Sequence, residues 1–322
     1  MRRGLWTSSS TTPVLSLPNT PGFDIVGKVL YSNSDRIKTG DRVASFLPCG
    51  GGNARYITIS SSKLITVPTH NDSVNNDIDP TQIACLIRTY IMAFQSLFYG
   101  VSSKEDRYDP DSLKGKHILV TAGAGLITTA IVSLALSLGC EIIYVAVNEE
   151  YHEMFESLGA IPLKPNPDEW QFLLQAKNID IVIDGICYDY YKSSRSLIKE
   201  DNNDETFKSK VICIGMASHA NKENDGGCTI PKYIEMMIKT YCSMFMNKIY
   251  FLKLTESWEH NLQQSKDDLE FLIKLLQEDK IVISPKIVAR IPLRAVAYAH
   301  QRLQNERIDG FIVCEPWLKI NH

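Results

Sequence analysis

The chain has 322 residues, of which 44% are apolar and 22% charged, and its formal net charge is -3. A balance this close to neutral, with acids and bases interspersed, does not favour nucleic acid or an anionic membrane as a partner. No apolar run approaches the roughly 20 residues of a transmembrane helix, so we expect no membrane span. The length favours two domains, at a typical size of about 150 residues each.

The first seventy residues predict a small, mainly antiparallel β unit. Glycine- and proline-containing turns lead repeatedly into apolar or alternating runs, which is typical of short strands. Such strands are predicted after the turns at 20–22, 39–41 and 50–53, and over residues 63–67. A polar loop at 70–80 follows.

Helical spacing of apolar side chains predicts a helix over residues 84–99. Residues 101–116 are polar and contain Pro110. They predict a surface insertion between this helix and the next strand.

The central prediction is a strand–turn–helix–strand unit over residues 117–160. Apolar runs at 118–120 and 142–147 predict strands, and residues 126–138 predict the helix between them. Because both strands are continuously apolar, we expect a parallel sheet covered by helices on both faces. The turn would aim free backbone N–H groups, and the positive end of the helix dipole, at an anion such as a dinucleotide pyrophosphate.

The turn carries an imperfect form of the glycine fingerprint for dinucleotides, Ala122-x-x-Gly125-x-x-Thr128. Gly125 allows close approach of the backbone to phosphate, and Ala122 is small enough for a turn. Thr128 places a branched side chain where the helix normally presses on the strand. Two interpretations stay open: a nucleotide-binding turn, or an ordinary βαβ unit whose small residues serve packing.

The end of the second strand bears on the choice of cofactor. NAD enzymes usually place an acid there to hold the ribose 2′-OH, but this chain has Ala146, followed by Asn148. The missing acid disfavours NAD. No lysine or arginine follows promptly, and Glu149 and Glu150 would repel a 2′-phosphate. Asp184, at the end of a later strand, is interpreted either as a neighbour of the adenosine half or as a turn cap.

The remaining elements continue the alternation of strands and helices. Strands are predicted at 179–185, 211–215, 281–291 and 310–314, and helices at 151–158, 267–277 and 293–303. Residues 199–209 and 219–227 are charged or polar and predict loops. The helix at 267–277 is amphipathic, and the side chains that share its apolar face are Leu269, Leu272, Ile273 and Leu276.

The eight cysteines contain no Cys-x-x-Cys pair, and several lie in apolar runs. We interpret them as buried small side chains, which is typical of a reducing, cytoplasmic compartment. The first twenty residues are basic, rich in serine and threonine and free of acids. An organellar transit peptide is therefore an alternative.

Several short motifs occur in one order along nearly the whole chain. They are Pro21-Gly22-Phe23-Asp24-x-x-Gly27-x-Val29, Gly40-Asp41-Arg42-Val43, Gly51-Gly52-Asn53-Ala54-Arg55-Tyr56, Ile91-Met92-Ala93-Phe94-x-x-Leu97, Leu158-Gly159-Ala160, Asp180-x-Val182-x-Asp184, Leu293-x-x-Val296-x-x-Ala299-His300 and Gly310-x-Ile312-Val313. Their order and spacing resemble the medium-chain dehydrogenase/reductase superfamily, in particular its zinc-independent quinone-oxidoreductase and enoyl-reductase branch.

The resemblance implies an α/β fold: a Rossmann doubly wound parallel sheet plus a GroES-like β domain. It implies the GroES-like domain at residues 1–95, completed by 285–322, and the Rossmann domain at 96–284. The family normally has further strands before the proline-glycine entry motif, so we expect the β domain to be N-terminally truncated in this chain. The resemblance also implies a homodimer formed by joined sheet edges.

The entry motif argues against a metal. Zinc-dependent relatives carry His-Glu where this chain has Phe23 and Asp24, and no four-cysteine lobe exists, so we expect no metal. Asp24 is interpreted as a structural carboxylate that accepts from backbone N–H groups rather than as a catalytic acid. His300 is interpreted as a packing or surface residue. The family often has threonine at Met92, which we interpret as core filler.

The resemblance implies an NADPH-dependent oxidoreductase that transfers hydride to a small-molecule quinone or α,β-unsaturated carbonyl. The residues predicted to bind the cofactor are Ala124, Gly125, Leu126 and Ile127 at the pyrophosphate, Asn148 at the ribose and Gly215 near the nicotinamide. Leu126 replaces a usual glycine, and a lost contact of about 1.4 kcal/mol would weaken binding tenfold. No catalytic residue is assigned. The alternative is a catalytically inactive relative that senses a dinucleotide or binds a partner.

Overall fold

The computed structural model describes residues 20–68, 78–99, 101, 103–121, 123–170, 172–173, 178–185, 191–198, 210–214, 249–252, 258, 260–306 and 308–319. The chain divides into two compact units, one made of Met1–Ile91 with Leu254–His322 and the other of Met92–Lys253. The domain boundaries expected from the resemblance, 1–95 with 285–322 and 96–284, stay a prediction.

The described part of the first unit contains an antiparallel sheet of three strands in the order β1-β2-β3. The strands are β1 Asp24–Lys28, β2 Arg42–Phe46 and β3 Ile65–Thr66. Under the sheet, Ile37, Val43 and Leu64 form a buried cluster. The prediction of a small antiparallel β unit is confirmed for these residues.

The prediction of a strand after the glycine cluster at 50–53 was wrong. Residues 54–60 belong to no strand, and Tyr56 and Ile57 are exposed. Tyr56 instead packs edge-on against Trp317, with ring centroids 5.4 Å apart. Alternation of apolar and polar residues alone therefore did not produce a strand here, because Tyr56 and Ile57 are not buried against a neighbouring sheet.

A continuous helical stretch follows, longer than the predicted helix at 84–99. Its segments are α1 Pro80–Cys85, a π-helical turn Leu86–Tyr90 and α2 Ile91–Leu97. The earlier start has a local cause, since the Asp79 carboxylate accepts a hydrogen bond from the Thr81 N–H at 2.9 Å and Pro80 occupies the first helical position. The Asp-Pro pair is an N-terminal signal that the apolar spacing does not carry.

The C-terminal part of the first unit combines two helices with a parallel pair of strands. They are α7 Leu262–Gln277, β10 Ile287–Ile291, α8 Val296–Asn305 and β11 Phe311–Cys314. The expected apolar face of α7 is confirmed, because all four predicted side chains are buried. The strand predicted at 281–291 forms only from Ile287 onward. Before it, the Tyr90 hydroxyl bonds the backbone carbonyls of Val282 and Ser284 and accepts from the Ser284 N–H, so a side chain occupies these backbone groups.

The described part of the second unit is built on a six-stranded, wholly parallel sheet. The strands are β4 His117–Val120, β5 Ile142–Ala146, β6 Ile161–Leu163, β7 Ile181–Asp184, β8 Lys210–Cys213 and β9 Ile249–Phe251. Their spatial order is β6-β5-β4-β7-β8-β9. Counted within the sheet this is 3-2-1-4-5-6, the order of the Rossmann fold, so the predicted fold class is confirmed.

Helices follow the strands of this sheet, as a parallel arrangement requires. In the described residues they are α4 Leu126–Ser137, α5 His152–Ser157 and α6 Tyr191–Ser196, after α3 Lys104–Arg107. The central strand is closed in on both faces, since Ile118, Leu119 and Val120 are all fully buried. The loops predicted at 199–209 and 219–227 lie outside the described residues.

Two buried basic side chains bind the end of α2 within the second unit. The Arg107 guanidinium donates to the Phe98 carbonyl at 2.9 Å, and the Lys210 ammonium donates to the Tyr99 carbonyl. Carbonyls past the last helical turn have no helical partner and carry the negative end of the helix dipole, so cations are favoured there. Burial, together with the smaller effect of the charges of Arg107 and Lys116, lowers the pKa of Lys210 to about 7.

We expect Lys210→Met to flatten the pH dependence of stability on the alkaline side. Above the folded pKa of about 7 the native lysine is neutral, while the unfolded lysine keeps its proton to about pH 10.4. The unfolded state therefore binds more protons in this window, so the lysine makes the free energy of unfolding rise with pH by up to about 1.4 kcal/mol per pH unit. Urea unfolding from pH 7 to 10 measures the slope, and parallel profiles for the two proteins would contradict the assignment.

Candidate functional site

The candidate site begins where β4 ends. The Thr121 N–H donates to the Ile183 carbonyl at 2.9 Å, so the chain stays paired with β7 for one residue beyond the strand. It then turns through Gly123, whose φ of 71° lies in the left-handed region that favours glycine. The next helix, α4, starts at Leu126, with Gly125 as its N-cap residue. The predicted strand–turn–helix is therefore present at the carboxyl edge of the sheet.

The turn has the properties of an anion site. No side chain caps the N-terminus of α4, so the first N–H groups of this twelve-residue helix have no intrahelical partner. A Cβ atom placed on Gly123 or Gly125 would meet nothing within 4 Å, so the space beside the turn is open. Free N–H groups facing open space at the positive end of a helix dipole suit a phosphate group.

The predicted pyrophosphate residues Ala124, Gly125, Leu126 and Ile127 lie in sequence along this turn and the first helical positions. Gly125 is exposed, whereas Leu126 and Ile127 are half-buried. Thr128 is 1% exposed, so its branched side chain is taken up by packing rather than by the open space. Ala122 lies outside the described residues.

A buried polar cluster fixes the turn from below. The Thr121 hydroxyl donates to Oδ1 of Asp184 at 2.7 Å, and the Ser194 hydroxyl lies 3.4 Å from Oδ2 of the same carboxylate. All three side chains are fully buried. Of the two interpretations left open for Asp184, the structure supports the structural one, because the carboxylate joins the ends of β4, β7 and helix α6 and is closed to solvent. The sequence pattern did not reveal Thr121 as its partner.

The second part of the site lies at the ends of β5 and β6. The Val147 N–H donates to the Leu163 carbonyl at 2.9 Å, which holds the two strand ends together. Asn148 is exposed and precedes a 3₁₀ turn at Glu149–Tyr151, without a side-chain capping bond. Its position is compatible with the predicted ribose contact, which stays a prediction.

An ion pair at this edge was missed. Nζ of Lys164, the residue after β6, lies 2.9 Å from Oε1 of Glu149. The usual sequence signal is a cation immediately after β5, whereas this lysine comes from the neighbouring strand. The signal that could have found it is the parallel pairing, in which Ala146 lies opposite Leu163. Gly215, predicted near the nicotinamide, lies outside the described residues.

The first unit contains a separate polar pair. Nε of Arg88 lies 3.4 Å from Oδ2 of Asp24, and the guanidinium lies over the ring of Phe23 at 5.5 Å. Oδ1 of Asp24 is buried and has no hydrogen-bond partner among the described residues. Burial raises the pKa of Asp24 to about 6, and Arg88 opposes the shift. Asp24 thus pairs with a guanidinium, whereas we had expected it to accept from backbone N–H groups.

The described part of the chain contains neither a metal-binding cluster nor a membrane-spanning helix. No group of three or more histidine, cysteine or acidic side chains there is arranged to hold a metal ion. No described helix is both long and apolar enough to cross a membrane. Five described cysteines, Cys49, Cys85, Cys140, Cys213 and Cys314, are free thiols.

Solved structures that share this fold include quinone oxidoreductases. The chain matches Escherichia coli quinone oxidoreductase complexed with NADPH at a TM-score of 0.67 and 18% identity, covering 97% of this chain and 87% of that one. A quinone oxidoreductase of Pseudomonas syringae matches at 0.64 and 20%, with the same coverages of 97% and 87%. An enoyl-reductase-type cyclopropanase of curacin A biosynthesis matches at 0.64 and 17%, covering 92% and 78%.

The sequence relatives match a smaller share of the chain than the solved structures do. A zinc-type alcohol dehydrogenase-like protein of Staphylococcus epidermidis is 28% identical over 167 residues, which is 48% of this chain and 44% of the relative. One from Staphylococcus aureus is 27% identical over 194 residues, 58% of this chain and 55% of the relative. The chain thus spans about half the length of the curated relatives it matches. No family model matches the chain.

The described residues form a Rossmann sheet in one unit and a small antiparallel sheet in the other, and the chain shares its fold with solved quinone oxidoreductases. The resemblance found in the sequence motifs is therefore confirmed at the level of the fold, and the solved neighbours include quinone oxidoreductases and an enoyl-reductase-type protein.

We expect Thr121→Val to destabilise the second unit by about 1–3 kcal/mol, because the buried Asp184 carboxylate loses a hydroxyl donor. Urea unfolding measures the loss. Thr121→Ser, which keeps the hydroxyl, is the matched control and should stay close to the parent protein. Equal stability of the valine and serine variants would contradict a structural role for this bond.

Proposed function

We propose that the protein is an NADPH-dependent, zinc-independent oxidoreductase that reduces a small quinone or an α,β-unsaturated carbonyl compound. The observation that carries the proposal is the open glycine turn between β4 and α4. It lies beside the β4–β7 pair, where the strand order of the sheet reverses. Ligands of open α/β sheets bind at this switch point, outside the carboxyl ends of the strands.

The turn suits the diphosphate of a dinucleotide. Two glycines without neighbours within 4 Å of a Cβ position leave room for phosphate oxygens to approach the backbone. Ala124, Gly125, Leu126 and Ile127 would hold the diphosphate through their N–H groups, and Asn148 would contact the ribose. Gly215 would lie near the nicotinamide. When bound, the cofactor would supply the hydride.

The protein's own residues would position the cofactor and the substrate and would stabilise their negative charge. N–H groups at the start of α4 would neutralise diphosphate charge without moving, since the Thr121–Asp184 bond already fixes the strand ends below the turn. Reduction of a conjugated carbonyl places negative charge on its oxygen, and a reductase needs donors there. We assign no catalytic acid.

Zinc independence rests on the donor set at the entry motif. Phe23 offers no ligand atom, and its ring contacts Phe46 at 6.4 Å and the Arg88 guanidinium at 5.5 Å. Asp24 is engaged by the same guanidinium. The curated relatives are zinc-type alcohol dehydrogenase-like proteins by name, so measuring the metal content of the purified protein is a direct check.

A second candidate function is a catalytically inactive, dinucleotide-sensing or partner-binding protein. The observation that favours it is Leu126, a half-buried leucine at the first position of α4, where the related fingerprint has glycine. Titration with NADPH, followed by turnover with a small quinone and an α,β-unsaturated ketone, separates the two. Binding with turnover supports the reductase, and binding without turnover supports the sensor. A homodimer and a cytoplasmic location remain predictions.

We expect Gly125→Asp to abolish NADPH binding while leaving the fold intact. The φ of Gly125 is −92°, which any residue tolerates, and aspartate is a favourable N-cap residue. Its carboxylate would occupy the N–H groups and repel the diphosphate. Fluorescence titration measures binding, and thermal unfolding measures stability.

The matched control is Gly27→Asp, the same change at an exposed glycine of β1 that also has nothing within 4 Å of a Cβ position. This variant should bind NADPH like the parent. Unchanged affinity in Gly125→Asp would show that the diphosphate binds elsewhere.

A further inference from the structure

The Lys164–Glu149 ion pair lies where the adenosine ribose of a dinucleotide would be read. Lys164 directly follows β6, and Glu149 lies in the turn after β5. These strands are paired in parallel, with Ala146 opposite Leu163, so both side chains start from the same carboxyl edge as the glycine turn. In Rossmann proteins this corner distinguishes a ribose 2′-OH from a 2′-phosphate.

The backbone that carries Lys164 is held in place. The buried Trp170 indole donates its N–H to the Lys164 carbonyl at 2.9 Å. A 3₁₀ turn at Pro167–Trp170 brings the indole back to that carbonyl. The Val147–Leu163 hydrogen bond fixes the preceding residue. The lysine therefore extends from a braced strand end rather than from a free loop.

The pair is accessible to a ligand. The side chains are 51% exposed for Lys164 and 69% exposed for Glu149. Their contact is the principal cause of a raised pKa for the lysine and a lowered pKa for the glutamate, so both are charged at neutral pH. Ala146, at the end of β5, has no polar side-chain atom to offer a ribose hydroxyl. Lys164 thus places a cation at the corner where a 2′-phosphate would lie, with Glu149 as its counter-ion.

We propose that Lys164 binds the adenosine 2′-phosphate of an NADP-type dinucleotide, and that the phosphate displaces the Glu149 carboxylate from the ammonium group. The inference rests on the proposed function, since it needs the diphosphate at the Gly125 turn. A phosphate near neutral pH carries more charge than a carboxylate and more acceptor oxygens, so it competes well for one lysine. Glu149 then lowers affinity for the phosphorylated cofactor, and Lys164 raises it.

The two residues therefore have opposite effects in a binding experiment. Kd values for NADPH and NADH are measured by fluorescence titration at one fixed, moderate ionic strength, because screening weakens exposed pairs. Calorimetry with 2′,5′-ADP and 5′-ADP isolates the same corner without the nicotinamide. The parent protein should prefer the 2′-phosphorylated member of each pair. Lys164→Met should reduce this preference about tenfold, which corresponds to about 1.4 kcal/mol.

Glu149→Gln is the complementary variant and should increase the preference for the 2′-phosphate, because the competing carboxylate is gone. Lys114→Met is the matched control, since it removes the same charge from an exposed lysine at the opposite, N-terminal edge of the sheet, just before β4. It should leave both ratios unchanged. A change equal to that of Lys164→Met would mean that only the net charge matters, and would overturn the inference.

The remaining outcomes separate this inference from the proposed function. If NADPH and NADH both bind but Lys164→Met keeps the parent ratio, Lys164 does not read the phosphate and the dinucleotide site stands. If the parent prefers NADH and Glu149→Gln loses that preference, the glutamate reads a ribose hydroxyl and the inference is overturned. If no dinucleotide binds to any variant, the proposed function falls and this inference with it.

Discussion

The hydrogen bond between Thr121 and Asp184 is the interaction on which the candidate site depends. It spans β4 and β7, the two neighbouring strands between which the order of the parallel sheet reverses. In open α/β sheets, ligands bind outside the carboxyl ends of the strands at this point of reversal. A buried carboxylate without donors would be unfavourable, and the Thr121 and Ser194 hydroxyls satisfy it. The glycine turn thus starts from a strand end that cannot move away from its neighbour.

Much of this architecture could be predicted from the sequence, because the parallel strands are short, continuous apolar runs, and such runs are typical of buried strands. The turn at Gly125 was also predictable, since free N–H groups follow wherever a strand feeds a helix. The pairing of Lys164 with Glu149 was not, because strand adjacency, not sequence distance, brings them together. The strand predicted after 50–53 did not form for the same reason. Alternation of apolar and polar residues is a property of one segment, whereas a strand needs a neighbouring strand with which to pair.

Charged groups have different roles in the two units because their surroundings differ. Lys210 is 5% exposed, and its surroundings favour the neutral amine. Arg88 is 37% exposed and lies beside Asp24, whose own burial raises the pKa of its carboxyl to about 6. Such pairs stabilise little by charge alone, since desolvation offsets attraction. The Asp24–Arg88 pair therefore counts as a constraint on the start of β1 and the π-helical turn, both within the first unit.

Under the proposed function, the substitutions in the glycine turn would weaken phosphate binding less than the loss of its glycines alone indicates. A phosphate recognised by backbone N–H groups requires open space and free donors rather than particular side chains. Thr128 is buried and leaves the space beside Gly123 and Gly125 untouched. Leu126 stays half-buried, and its N–H keeps its place in the first helical turn. Under the proposed function the donors belong to the main chain, so side-chain substitutions at these positions would lower the affinity in small steps. Loss of the helix start would remove the site.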